Sequence, residues 1–167
     1  ISDNFCTQKK DEKFFTEKIL RMKNIWCTYS LSVLENLNLK KENNSEPFII
    51  YGCFQRPEKI TKKVLSTWMN ILIRVKKSKI FFINQSFNEY EKKKIIFYFN
   101  NNGVSSKRLM FLRPKNRKEY LNSYNLVDIN LDTFPYNGGT TLFESSYMGV
   151  PTLTKENNSF LFRCGES

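Results

Sequence analysis

From residue 48 to residue 154 the chain repeats one arrangement: a short run of β-branched and aromatic residues, a polar turn, then apolar residues at helical spacing. Residues 48–54 form the first run, too short for a helix and flanked by Pro47 and Pro57. Thr61 stands where it can cap the next element, in which Val64, Leu65, Trp68, Ile71, Leu72 and Val75 recur at helical spacing. Residues 79–84 read as a second strand. Ser86, Phe87, Asn88 and Glu89 have the pattern of a capping box, opening a helix that should end at Gly103, a natural left-handed C-cap. A third strand is expected at 109–112, a short helix at 117–124 from Tyr120, Leu121 and Tyr124, and a fourth strand at 126–131. A turn-rich loop then covers 132–139, a helix runs from Thr140 to about Met148 and stops at Gly149, and 151–154 make a fifth strand. Strands and helices alternating through short connections predict a parallel sheet, because each right-handed crossover returns the chain to the same edge. The expected fold is α/β, a Rossmann-like parallel sheet with helices on both faces.

The 167 residues suffice for one domain of ordinary size. Their 40% hydrophobic and 15% aromatic content supplies a core and excludes disorder for the chain as a whole, although 26% is charged. Residues 1–47 have mixed polarity, with one amphipathic stretch around Phe14, Phe15, Ile19 and Leu20. The polar run 40–47 reads as a linker, so a domain boundary is expected near residue 47, with 48–167 as the regular unit. The opening Ile1 and the abrupt stop after residues 163–167 are read as the ends of a fragment.

A net charge of +11 attracts phosphates, nucleic acid or acidic protein surfaces without choosing among them, and it is equally the mark of a lysine-rich solvated surface. The chain contains no histidine, which removes Ser-His-Asp and Cys-His catalysis from this stretch. Cys6, Cys27, Cys53 and Cys164 show no C-x-x-C spacing, so no metal site is expected and free thiols in a reducing, cytoplasmic compartment are the simplest reading. The longest apolar run, 95–99, is far short of a bilayer span, and the polar start predicts neither a signal peptide nor membrane association.

In open parallel sheets ligands bind beyond the carboxyl ends of the strands. Two loops expected there carry chemistry. Residues 55–59, Gln-Arg-Pro-Glu-Lys, bring Arg56 and Lys59 to the sheet edge. Residues 132–141, Asp-Thr-Phe-Pro-Tyr-Asn-Gly-Gly-Thr-Thr, have the makings of an anion cradle: Gly138 and Gly139 let backbone N–H groups approach an oxyanion, and Thr140 and Thr141 stand at a helix N-terminus. Glu144, four residues on, is placed to accept hydrogen bonds from a ribose diol, and a nucleoside diphosphate would satisfy all three. Each piece has a plainer reading: a tight turn with a helix cap, a surface lysine, a solvated glutamate. Neither G-x-G-x-x-G nor the P-loop pattern is present.

The run 131–141, Leu-Asp-Thr-Phe-Pro-Tyr-Asn-Gly-Gly-Thr-Thr, followed by Glu144, Ser145 and Met-Gly-Val-Pro-Thr-Leu-Thr at 148–154, closely resembles the C-terminal catalytic lobe of protein O-GlcNAc transferases and SPINDLY-type protein O-fucosyltransferases. Residues 52–60, Gly-Cys-Phe-Gln-Arg-Pro-Glu-Lys-Ile, are similar to the family's Gly-x-Phe-Asn-x-x-x-Lys-Ile motif, and Trp68 falls on a family tryptophan. Order and spacing agree over 48–167, while 1–47 resemble the tail of the preceding catalytic lobe. The resemblance implies the C-terminal lobe of a GT-B glycosyltransferase, an inverting enzyme without metal or other cofactor that transfers a sugar to Ser or Thr of proteins. Lys59 then matches the lysine that binds the donor diphosphate and stabilises the departing nucleoside diphosphate. Thr140 and Thr141 match paired threonines beside the phosphates, and Glu144 the acidic residue holding the ribose.

Arg117 and Tyr120 fall where the O-GlcNAc transferases have Lys and His against the nucleoside, and Gly139 where the animal enzymes have His. Arg56 replaces a family Gln or Asn, and as a second cation on the diphosphate would contribute about 1.5–3 kcal/mol. The implied donor is UDP-GlcNAc, with GDP-fucose as the alternative. The implied partner is an acceptor protein bound through tetratricopeptide repeats outside this chain. Two rivals remain at this point: a basic module that binds RNA, and a scaffold that binds donor without turnover.

Overall fold

The computed structural model describes residues 1–30, 47–156, 158 and 160–167. Five strands, β1 (Ile49–Cys53), β2 (Ser78–Ile83), β3 (Leu109–Leu112), β4 (Ile129–Leu131) and β5 (Thr152–Leu153), form one sheet in the order β3-β2-β1-β4-β5. All four pairings are parallel, with Tyr51 opposite both Ile80 and Ile129. Helices α1 (Lys62–Arg74), α2 (Glu89–Asn101), α3 (Arg117–Asn122) and α4 (Thr140–Tyr147) connect them. The expected α/β sheet is therefore the observed one.

Alternation along the strands sends side chains into two cores. Tyr51, Cys53, Ile80 and Phe82 pack with Val64, Leu65, Trp68 and Leu72 of α1 and with Ile95 and Phe99 of α2. Ile50, Phe81 and Ile83 pack on the other face with Leu121, Tyr124, Met148 and Val150. Helices thus cover both faces, and each fully buried Phe or Leu contributes about 1.5–3 kcal/mol. Trp68, 2% exposed, lies with its ring 6.1 Å from that of Phe82, which in turn stacks at 5.1 Å on Phe111.

Several boundaries differ from the sequence expectation for identifiable reasons. Thr61 caps α1 as expected, its hydroxyl accepting from Val64 N–H. The cap of α2 is Asn88, which accepts from Glu91 N–H, rather than Ser86; Asn84 Oδ1 takes the Ser86 N–H at 2.9 Å in a turn, so the helix begins later. The fourth strand was expected from residue 126 but begins at Ile129, because 123–126 form a 3-10 turn and Asp128 Oδ2 accepts Ile50 N–H at 2.8 Å. Gly103 and Gly149 follow α2 and α4 with φ of 80° and 71°, the left-handed conformation that ends a helix.

The amphipathic stretch expected around Phe14 to Leu20 is not a buried helix. A 3-10 helix (Lys9–Phe14) buries none of its residues, and Phe14 and Leu20 stay exposed. Residues 1–30 are held instead by polar contacts and by the other end of the chain. Asp3 accepts N–H bonds from Phe5, Cys6 and Trp26; Trp26 meets Phe160 edge-on at 5.4 Å; and buried Arg163 donates to the Cys6 carbonyl and pairs with Asp11. The expected linker at 40–47 lies, but for Pro47, outside the described residues.

Candidate functional site

The sheet order reverses between β1 and β4, and at such a switch point the loops leaving two neighbouring strands diverge to opposite faces and open a crevice. The loops leaving β1 and β4 are residues 54–59 and 132–139. Between them and the ends of β2 and β3 lies a cleft of about 1010 Å³, lined among others by Arg56, Lys59, Arg117, Tyr120, Gly139, Thr140 and Thr141. Seven of the nine residues singled out from the sequence therefore share one cavity.

Lys59 closes a 3-10 turn (Pro57–Lys59) and reaches across the crevice. Its ammonium donates to the Asn137 carbonyl at 2.9 Å and lies 3.9 Å from the centre of the Tyr136 ring. Burial holds its pKa below the ordinary value, an effect that nearby Arg56 reinforces and Asp132 opposes. Arg56 is exposed on the cleft wall.

The β4 loop is organised from beneath by Asp132, which is 3% exposed. Asp132 Oδ1 accepts from Thr133 N–H at 2.9 Å, from Gly138 N–H at 2.7 Å and from Gln55 Nε2 at 3.3 Å, while Thr154 Oγ1 donates to Oδ2 at 2.8 Å. Burial raises the Asp132 pKa, and the Gly138, Thr154 and Thr133 donors pull it back in part. Gln55 Nε2 also donates to Thr141 Oγ1 at 2.6 Å, tying the two loops together. Gly138 sits inside this network: a Cβ there would lie 2.4 Å from both Gln55 Nε2 and Thr141 Oγ1, whereas one at Gly139 would meet nothing within 4 Å.

Helix α4 begins at Thr140 with Gly139 as its N-cap, and no side chain caps it. Thr61, Asn88 and Asn116 cap α1, α2 and α3. At the positive end of the helix the Leu142 N–H goes to the Gly139 carbonyl at 2.9 Å, while the N–H groups of Thr140 and Thr141, beside the cleft, have no side-chain acceptor among the described residues.

Glu144 is 1% exposed and does not line the cleft; it lies behind Arg117, whose guanidinium pairs with its Oε1. Tyr29 completes a triad, its hydroxyl 3.4 Å from Glu144 Oε1 and 2.8 Å from Arg117 Nη2. Burial opposes the charge on Arg117, but the hydrogen bond and charge of Glu144 outweigh it and the pKa is raised. The Arg117 side chain also lies 5.2 Å from the centre of the Tyr120 ring. Tyr120 packs edge-on against Phe54, which stacks on Tyr124 at 3.6 Å, so the cleft floor here is aromatic. Burial first, and then the Glu144 charge, raises the Tyr120 pKa and keeps it a neutral phenol.

Sequence reasoning missed Asp132, Gln55 and Tyr29 as site residues. The first two follow β4 immediately and β1 within two residues, at the switch-point edge, where a buried polar residue is a signal in itself. Tyr29 sits in a stretch without periodicity and gave none.

The sequence profile described as Glycosyl transferase family 41 matches residues 33–167. A probable UDP-N-acetylglucosamine–peptide N-acetylglucosaminyltransferase SPINDLY of Arabidopsis thaliana is 30% identical over all of this chain, which spans 18% of that protein. A protein of the same description from Eustoma exaltatum is 40% identical over 66% of this chain and 12% of its own length. Among solved structures, a mutant O-GlcNAc transferase of Thermobaculum terrenum superposes with a TM-score of 0.88 at 27% identity, over 99% of this chain and 31% of that one. The profile match spans the whole sheet and both loops, and the chain belongs to glycosyl transferase family 41.

Proposed function

We propose that this chain is the donor-binding part of a protein O-glycosyltransferase that transfers a sugar from a nucleoside diphosphate to Ser or Thr hydroxyls, with UDP-GlcNAc as donor. One observation carries the reading: at the switch point of the sheet, Lys59 and the uncapped start of α4 converge on one side of a cleft large enough for a nucleotide sugar. The acceptor hydroxyl attacks the anomeric carbon from the face opposite the diphosphate, its proton is released to solvent, and the bond to the β-phosphate oxygen breaks with inversion. Lys59, the Thr140 and Thr141 hydroxyls and the first N–H groups of α4 neutralise the charge that accumulates on the leaving diphosphate. Arg56 adds a second cation, so this role needs no metal ion.

The aromatic floor at Tyr120 suits a base, and the Arg117–Glu144–Tyr29 triad suits the ribose, with buried Glu144 orienting Arg117. The names of the relatives support UDP-GlcNAc. The acceptor protein is proposed to be presented by tetratricopeptide repeats, for which the far greater length of the relatives leaves room. Among the described residues no helix is long and apolar enough to cross a membrane, and four free cysteines support a reducing, cytoplasmic setting.

Calorimetric titration of UDP and GDP into the full-length protein, with and without a chelator, tests the reading. Binding of UDP that persists in chelator and weakens in Lys59→Ala supports it. A preference for GDP moves the donor to GDP-fucose, and a folded protein that binds neither overturns the donor site and leaves the charge to nucleic acid.

A further inference from the structure

The hydrogen-bond directions around Gln55 carry information that the positions alone do not. Asp132 Oδ1 already accepts two backbone N–H groups, from Thr133 and Gly138, so it is an acceptor toward its third partner as well. The Gln55 group facing it at 3.3 Å is therefore the amide nitrogen, which fixes the orientation of the side chain. The second hydrogen on that nitrogen points to Thr141 Oγ1, 2.6 Å away. Thr141 Oγ1 is thereby an acceptor toward Gln55, and its own proton must go elsewhere. Among the described residues no other group takes the Thr141 proton, and Thr141 lines the cleft.

We infer that Gln55 is a positioning residue that sets the polarity of the Thr141 hydroxyl, holding it as a hydrogen-bond donor aimed at the diphosphate of the sugar donor. The inference rests on the donor-site reading above. Asp132 acts one step further back, by fixing which end of the Gln55 amide faces Thr141. The arrangement is a directional relay, Asp132 to Gln55 to Thr141, whose last proton is offered to an oxyanion.

A double-mutant cycle on nucleoside diphosphate affinity, read by calorimetry with UDP and with GDP on the full-length protein, tests this. Gln55→Met keeps the length of the side chain and removes both N–H groups; it is expected to weaken binding roughly tenfold. Thr141→Val should weaken it by a similar factor, and Thr141→Ser, which keeps the hydroxyl, should bind nearly as the wild type does. The double variant Gln55→Met/Thr141→Val is expected to bind as Thr141→Val alone, because Gln55 acts only through that hydroxyl. Losses that multiply to roughly a hundredfold overturn the inference while leaving the donor site intact. A wild-type protein that binds neither nucleotide overturns both. Thermal unfolding checks each variant, and Gln55→Glu is the second variant if Gln55→Met does not fold. Its carboxylate only accepts, turns the Thr141 proton away from the cleft, and should weaken binding at least as much, again with no further effect in Thr141→Val.

Discussion

The ammonium of Lys59 donates to the carbonyl of Asn137 at 2.9 Å, joining two loops whose residues stand 78 positions apart. Each loop leaves a different strand, and the bond closes the crevice between them on one side. Replacing Lys59 by Ala removes both the cross-loop bond and the proposed diphosphate cation. UDP affinity is expected to fall by about 10- to 150-fold, the equivalent of about 1.5–3 kcal/mol. Turnover should fall further, by roughly 10²–10³, since charge on the leaving group is greatest in the transition state. Steady-state kinetics beside calorimetry reads both effects, and wild-type values for Lys59→Ala would remove this residue from the site.

The same lysine predicts a pH dependence. Burial lowers its pKa from the ordinary 10.5. The charged form binds the diphosphate, so affinity is full below the folded-state pKa and is lost as pH rises through it, with a midpoint under 10.5. The bound anion raises that pKa again, so binding on the alkaline side takes up protons, visible as a buffer-dependent calorimetric enthalpy. For stability the sign is opposite: between the two values the unfolded chain holds the proton and the folded one does not, so this group's contribution rises with pH. A flat affinity profile up to about pH 10.5 would contradict the assignment.

Adjacent glycines in the β4 loop should behave differently. Gly138→Ala places a methyl 2.4 Å from Gln55 Nε2 and from Thr141 Oγ1, so the relay must shift and nucleotide affinity should drop at least tenfold. Gly139→Ala meets nothing within 4 Å and should bind close to wild type. Titrating both variants with UDP decides it; equal behaviour would mean that the packing around residue 138 does not matter for the ligand.

Removing Arg117 leaves the buried Glu144 carboxylate with neutral phenols as partners, the Tyr29 hydroxyl 3.4 Å away and the Tyr120 hydroxyl. Arg117→Ala is expected to cost about 1–3 kcal/mol of stability in urea unfolding. Arg117→Ala combined with Glu144→Gln should recover part of that loss, because no unpaired charge stays buried. A double variant no more stable than the single one would show that the charge is not the cause.

Much of the fold was legible from periodicity. The run at 109–112 is a strand with those bounds, α1 starts after its Thr61 cap, and Gly103 and Gly149 end helices. What misled was local competition for polar groups: Asn84 takes the Ser86 N–H and moves the start of α2, and Asp128 takes the Ile50 N–H at the head of β4. No one-dimensional pattern distinguishes a cap from a turn when both use the same side-chain oxygen. In the site, the glycines were readable because the chain has only 6 of them, and the cations because their loop follows a strand. Glu144 was readable as a residue but not as a buried one, since its burial depends on Arg117 and Tyr29, 27 and 115 positions away.

The pairing of Arg163 with Asp11, and of Phe160 with Trp26, has a kinetic corollary. These contacts close loops of about 150 and about 135 residues and are among the most non-local in the chain, so their entropic cost falls due before they stabilise anything. Gly165, next to this clasp, packs against Thr154, whose hydroxyl donates to Asp132. The glycine loop that follows β4 is therefore expected to be among the last regions to order during folding and among the first to loosen when the tail is pulled away. Hydrogen exchange would register this as weak protection of the Gly138 N–H beside strong protection in β1 and β2.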